Sequence, residues 1–289
     1  MQKDAFSKCH PAVNFLFFVL AICFGVIIMH PVYIALGVLP AASYYLFLKG
    51  RKGVKIVLGM VPVFIFLSLM NPLFNHYGEH VLFYVFKNPY TLEALYYGMT
   101  LGGMFVVMML WFLCYSHVVT GDKFSCLFGG LIPSLSLLLT MVLRMIPNLQ
   151  KKAVQITGAR KGIGKGIYKE SAFREKLKSA GASVSSLTDW ALEGSIITAD
   201  SMRARGYGTA RRTSFQIYRF TATDAALLII MAALLAGVIA FGGTAASFTP
   251  ELYIEPAGAG AIFYVIFLLI PVILNVKEAV LWHISISKI

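Results

Sequence analysis

The chain has 289 residues, of which 58% are hydrophobic and only 13% charged, with a mean hydropathy of +0.75 and a formal net charge of +12. Soluble domains carry about a quarter charged residues, so this composition excludes an ordinary soluble protein. It also excludes a transmembrane β-barrel, which is built from short alternating segments and not from long apolar runs.

In chain order, apolar runs long enough to cross about 30 Å of hydrocarbon lie at Val13–Met29, Val32–Leu48, Val54–Met70, Leu92–Tyr115, Ala225–Phe241 and Ala261–Val276. The first two are joined by the tight His30-Pro31 turn. No cleavable signal peptide is expected, because the apolar stretch after Met1–His10 lacks a small-residue cleavage site and leads straight into another span. Leu127–Ile146 has the length of a further span, but Pro133 interrupts it and Arg144 sits near its end. Cys9, Cys23, Cys114 and Cys126 form no CxxC pair, disulfide framework or zinc spacing.

Positive charge is retained in cytoplasmic loops. The Lys49-Gly50-Arg51-Lys52 turn with Lys55 is therefore expected inside, together with both termini and the Asp122-Lys123 loop. The His30-Pro31 turn, the loop Asn71–Tyr90 and the acidic Glu251 and Glu255 are expected outside. Between the hydrophobic blocks lies a strongly basic segment. Residues 147–220 hold fourteen of the 25 Lys and Arg: Lys151, Lys152, Arg160, Lys161, Lys165, Lys169, Arg174, Lys176, Lys178, Arg203, Arg205, Arg211, Arg212 and Arg219. They face five acids, Glu170, Glu175, Asp189, Glu193 and Asp200. Were Leu127–Ile146 to span, all this charge would face outward. It is therefore expected to pack at the inner face without crossing.

The expected fold is thus all-α and integral to the membrane, with about six transmembrane helices. Residues 1–126 form a four-helix region, 127–220 a cytoplasmic module of amphipathic helices, and 221–289 a two-helix region. Within the module Leu187, Trp190, Ala191, Gly194 and Ile197 follow helical spacing, as do Leu149, Ala153 and Ile156. An arginine closes each helix just before a glycine turn, at Ala159-Arg160-Lys161-Gly162 and at Ala204-Arg205-Gly206. A cation suits the negative end of a helix dipole and glycine suits the left-handed cap.

The string Ala199-Asp200-Ser201-Met202-Arg203-Ala204-Arg205-Gly206-Tyr207-Gly208 resembles the hallmark of the T component of energy-coupling factor transporters. Phe6-Ser7-Lys8-Cys9-His10-Pro11-Ala12-Val13-Asn14-Phe15, Asn71-Pro72-Leu73-Phe74-Asn75-His76, Asn88-Pro89-Tyr90-Thr91-Leu92-Glu93 and Leu143-Arg144-Met145-Ile146-Pro147 resemble further pieces in family order. The resemblance implies a non-catalytic scaffold in a bacterial cell membrane. Two ATP-binding cassette ATPase subunits dock beneath it, and a separate S component binds a vitamin or other micronutrient. ATP and magnesium then belong to the partners, and this chain holds no cofactor. The family's two X-Arg-X docking motifs map onto Ala159, Arg160 and Lys161, and onto Ala204, Arg205 and Gly206. Lysine at 161 stands where glycine is often found.

The chemistry of the motifs agrees with this in part. A guanidinium is a planar fork that binds carboxylates bidentately. The plainer alternative is that both arginines cap helices or touch anionic lipid head groups. The partners expected for the basic charge are proteins and the lipid bilayer, not nucleic acid. Gly162-Ile163-Gly164-Lys165-Gly166 lacks the Walker spacing, follows no strand and has Gly166 where Ser or Thr should hold magnesium. His76 and His80 have a two-ligand spacing next to Glu79, but no further ligand joins them. No metal is expected. Gly98, Gly102 and Gly103 allow close helix contact, either inside the chain or with a partner membrane helix. A membrane enzyme and a self-sufficient channel or carrier are the alternative function classes. For the enzyme, the His-Pro turns and the His pair are the candidate parts. For the carrier, the scarcity of charge within the spans is adverse.

Overall fold

The computed structural model describes residues 4–75, 80–85, 88–129, 133–166, 172–209, 218–243, 246–247, 253–256 and 258–286. After a 3-10 turn at Phe6–Lys8 come the helices α1 (Pro11–Ile27), α2 (Pro31–Lys49), α3 (Arg51–Phe74), α4 (Leu92–Val118), α5 (Gly121–Gly129), α6 (Pro133–Gly162), α7 (Phe173–Ala204), α8 (Ala222–Ala240) and α9 (Gly260–Ile286). Two small antiparallel pairs, β1 (Val81–Val85) with β2 (Asn88–Thr91) and β3 (Ala246–Ser247) with β4 (Tyr253–Ile254), are the strands among the described residues. The chain divides into two compact units, Met1–Lys123 with Tyr218–Ile289, and Phe124–Ile217.

The helices α2, α3, α4, α8 and the Gly260–Trp282 part of α9 are long and apolar enough to cross a membrane, and α1 is a shorter apolar helix. The protein is therefore an all-α, multi-pass membrane protein. Proline keeps α1 and α2 separate, α1 ending at Ile27 with Ile28 as its C-cap. His30 precedes Pro31, and a residue before proline is driven out of the α region. Both His-Pro sequences then start helices. The His10 ring accepts from Ala12 N at 3.2 Å, and the His30 ring from Val32 N at 3.3 Å, with proline in the first turn of each helix. Among the described residues α5 runs to Gly129, and Pro133 is the first residue of α6. The stretch Leu127–Ile146 is thus divided between two helices, and α6 is not among those apolar enough to cross.

Lipid is as apolar as leucine, so the bundle is held by close packing more than by exclusion of water. Its centre is aromatic. Phe17 stands edge-on to Phe6 at 5.2 Å and to Trp111 at 5.5 Å, all three fully buried, and Phe267 closes the group. In α3 only 11% of the apolar window is buried within the chain, so this helix depends on its close seam with α4. A Cβ at Gly98 would lie 2.6 Å from the Ser68 carbonyl oxygen, and one at Gly102 would lie 2.9 Å from the Ser68 hydroxyl. Gly103 packs likewise on Ile34 of α2.

Beyond the Gly98 end of that seam the expected plain loop Asn71–Tyr90 is instead a longer α3 followed by the β1–β2 hairpin. Tyr90 is buried with its hydroxyl 3.4 Å from the Leu69 carbonyl, burial pushes its phenol up, and Thr91 caps α4 by accepting from Ala94 N at 3.4 Å. Between α8 and α9, His30 reaches across to donate from Nε2 to the Glu255 carbonyl at 2.8 Å, and Tyr33 donates to the Gly242 carbonyl at 2.9 Å. The N–H at Nε2 follows from the Nδ1 lone pair being occupied by Val32 N.

Candidate functional site

The second unit is built on α6 packed against α7. Leu149, Ala153 and Ile156 of α6 are half-buried, as are Leu187, Trp190, Ala191 and Gly194 of α7. Ile197, expected on the same face, is instead 59% exposed, and Thr198 takes the inward place. Lys152 lies 5.5 Å over the Trp190 ring, a cation–π contact that joins the two helices. No described residue of α7 is fully buried. Phe173, Leu177 and Val184 form a second apolar stripe at helical spacing, each more than three-fifths exposed.

Both arginine motifs sit at helix C-termini, and both helices close with the same hydrogen-bond arrangement. In α7 the Tyr207 N–H reaches back to the Met202 carbonyl at 3.0 Å and the Gly206 N–H to the Arg203 carbonyl at 2.9 Å, with Gly206 at φ +78. This is a Schellman motif, in which a left-handed residue lets the last carbonyls be satisfied. In α6 the Lys165 N–H reaches the Arg160 carbonyl at 2.9 Å and the Gly164 N–H the Lys161 carbonyl at 3.1 Å, with Gly164 at φ +75. The left-handed glycine of α6 is therefore Gly164 and not the expected Gly162, which remains helical.

The two arginines consequently stand in different registers. Arg205 is the residue directly before the left-handed glycine and is exposed. Arg160 lies four positions before its glycine, inside the last helical turn. It is half-buried, and its Nε is shielded from solvent without a hydrogen-bond partner. Neither forms an ion pair with a described acid. Ala159, Lys161 and Ala204 are exposed and Gly206 half-buried around them. The turn after α6 is tied down by the Ser179 hydroxyl of α7, which donates to the Lys165 carbonyl at 2.8 Å.

The glycine-rich stretch 162–166 is this helix ending. Its amides at 164 and 165 are bonded to carbonyls of α6, at the negative end of a helix dipole. Phosphate cradles use free amides at the positive end. Among the described residues no group of three or more His, Cys, Asp or Glu could hold a metal ion. His76 and Glu79 lie outside the described residues. The His-Pro turns serve as helix caps. Gly98, Gly102 and Gly103 already pack on α3 and α2 of this chain, so they offer no open face for a partner helix.

What sequence reasoning missed lies in the first unit, where Asp4, Ser7, His10, Asn14, Lys123, Asp224 and Asn275 converge. Asp4 accepts from the Tyr44 hydroxyl at 2.7 Å and from Asn275 Nδ2 at 2.5 Å. Asp224 accepts from Thr221 N, the Thr221 hydroxyl and His10 N at 2.9, 2.6 and 3.0 Å. The low polarity of the spans was the available signal, because any polar residue beside them needs a partner. The chain matches no family model, and no curated protein matches it.

Proposed function

We propose that this chain is the membrane-embedded coupling subunit of an ATP-driven importer of the energy-coupling factor type. On this reading Arg160 and Arg205 each dock one ATP-binding cassette ATPase subunit. The chain passes their movement to a separate substrate-binding S component, which takes up a vitamin or other micronutrient. Residues 148–219 and both termini face the cytoplasm. The chain itself is no enzyme: ATP and magnesium bind in the partners.

One observation carries the reading. Two packed helices end in the same Schellman closure, and each end presents an arginine that no described acid of the chain neutralises. A guanidinium at such an end can enter an acid-lined groove and make two parallel hydrogen bonds there. The Ala199–Gly208 string at one of these ends supports it, as does the concentration of positive charge in a single unit. The exposed stripe of Phe173, Leu177 and Val184 is the kind of surface a further partner covers.

The test is purification of the full chain from its own cells with gentle solubilisation. Two ATPase chains should accompany it, the complex should hydrolyse ATP, and the chain alone should not. Turnover retained by the isolated chain would end the proposal. Topology is checked separately with a Ser186→Cys variant lacking the native cysteines, since Ser186 is exposed on α7. An impermeant maleimide added to intact cells should leave it unlabelled.

A further inference from the structure

Lys123 is 4% exposed, yet among the described residues no carboxylate lies within 4 Å of it, and the charge of Asp4 acts on it only from farther away. Its ammonium is held by neutral dipoles instead. It donates to the Ser7 carbonyl at 2.6 Å and to the Ser7 hydroxyl at 3.0 Å, and the Asn14 side-chain oxygen accepts its third proton at 3.0 Å. Asn14 must be oriented this way because an ammonium offers donors only. Burial pushes the Lys123 amine below its ordinary range. Sequestering a charge so costs more than an apolar contact of the same volume, so stability alone does not explain it.

The place of this lysine in the chain supplies the explanation. Lys123 is the last residue of the first unit before the chain leaves it, and Tyr218 is the first on its return. The return is held by the same short segment. His10 N–H donates to Asp224 in the first turn of α8, and the His10 ring stands edge-on to Phe220 at 5.4 Å. Ser7 lies within the 3-10 turn Phe6–Lys8, whose Phe6 is fully buried, and His10 follows it three residues later.

We infer that the segment Asp4–His10 is a clamp that fixes the exit and the return of the chain to one another, so that a displacement at either is passed to both and on to the spans. The last step rests on the coupling function proposed above. The geometry is suited to two discrete states: the three Lys123 bonds share one ammonium, so a shift of about an ångström breaks them together.

The experiment uses the full chain in lipid nanodiscs, with hydrogen exchange followed by mass spectrometry. Lys123→Met keeps the stem and removes the ammonium, and Ser7→Ala removes one acceptor and is the milder change. Each should speed exchange at residues 221–225, about tenfold or more for Lys123→Met, while amides in the middle of α9 stay as they were. Asp224→Asn should loosen residues 121–125 in return. In the assembled complex Lys123→Met should retain the ATPase subunits but lower substrate moved per ATP about threefold or more. Loosening confined to the mutated end, in both directions, would overturn the clamp. Spread loosening with unchanged transport per ATP would overturn its coupling role. If no ATPase accompanies the unmodified chain, the proposed function falls, and the exchange result still decides the clamp.

Discussion

The bundle and the α6–α7 unit satisfy their side chains in opposite ways. In the bundle Phe6, Phe17, Phe18, Tyr44 and Trp111 are fully buried, and two of the acids near its edges are well supplied with donors, Asp4 by two and Asp224 by three. In α7 nothing is fully buried, and Arg205 and the Phe173–Val184 stripe lie open. The centre of the bundle is filled by its own chain. The α6–α7 pair presents chemistry it does not use internally, and the proposed function assigns that surface to a partner. Substitutions should therefore act on folding in one unit and on assembly in the other.

The largest effect is expected at the arginines. On the proposed function, Arg160→Ala and Arg205→Ala should each weaken association with the ATPase subunits by about 2–5 kcal/mol, the cost of removing one member of a buried charge pair. Thermal unfolding of the isolated chain should hardly change. Lysine at either position should restore only part of the affinity, since a point charge cannot reproduce the fork. Lys176→Ala with Lys178→Ala removes equal charge from the same segment and is the control. Equal damage from the control would mean a diffuse basic surface in place of two anchors.

Next comes the seam between α3 and α4. Gly98→Ala sets a methyl group 2.6 Å from the backbone oxygen of Ser68, which cannot move without its helix. A loss of about 1–3 kcal/mol is expected, read as a lowered unfolding midpoint in detergent. The matched change in the other unit has the opposite sign. A Cβ at helical Gly158 or Gly194 meets nothing within 4 Å, so alanine there should be neutral or stabilising by about 0.5–1 kcal/mol. A uniform response at all these glycines would erase the contrast between the two units.

The smallest effect concerns Cys9, within the clamp segment. Burial, and then the negative charges of Asp224 and Asp4, raise its thiol above the ordinary value. A group whose folded pKa is raised contributes stability that is complete below the unfolded pKa and is lost as pH rises through the folded one. The sign is therefore a loss in alkaline solution. Cys9→Ala should flatten the fall in unfolding midpoint above about pH 9, leaving values near neutrality in parallel with the native chain.

Much of the molecule was legible because its signals are local. The apolar runs around α1–α4, α8 and α9, the half-buried faces of α6 and α7, and Pro133 as a divider each depend on residues a few places apart. The β1–β2 hairpin had such a signal in Val81-Leu82-Phe83-Tyr84-Val85, whose aromatic and β-branched content favours a strand, but the turn residues around it suggest a plain loop. Periodicity could not tell whether Gly98 and Gly102 serve this chain or a partner, since both uses need the same small residues.

Sequence by itself determined the class of this protein, a helical membrane protein, and the segregation of its charge, because hydropathy and charge are additive along the chain. Tertiary structure alone decided which glycine turns α6 and hence the register of Arg160. A left-handed cap is settled by which carbonyls find donors, and both Gly162 and Gly164 could have supplied it. It alone brought Lys123 to Ser7 across 116 residues and Asp224 to His10 across 214. Such pairs leave no periodic trace, because a buried polar atom requires only a partner within about 3 Å and is indifferent to how far along the chain that partner lies.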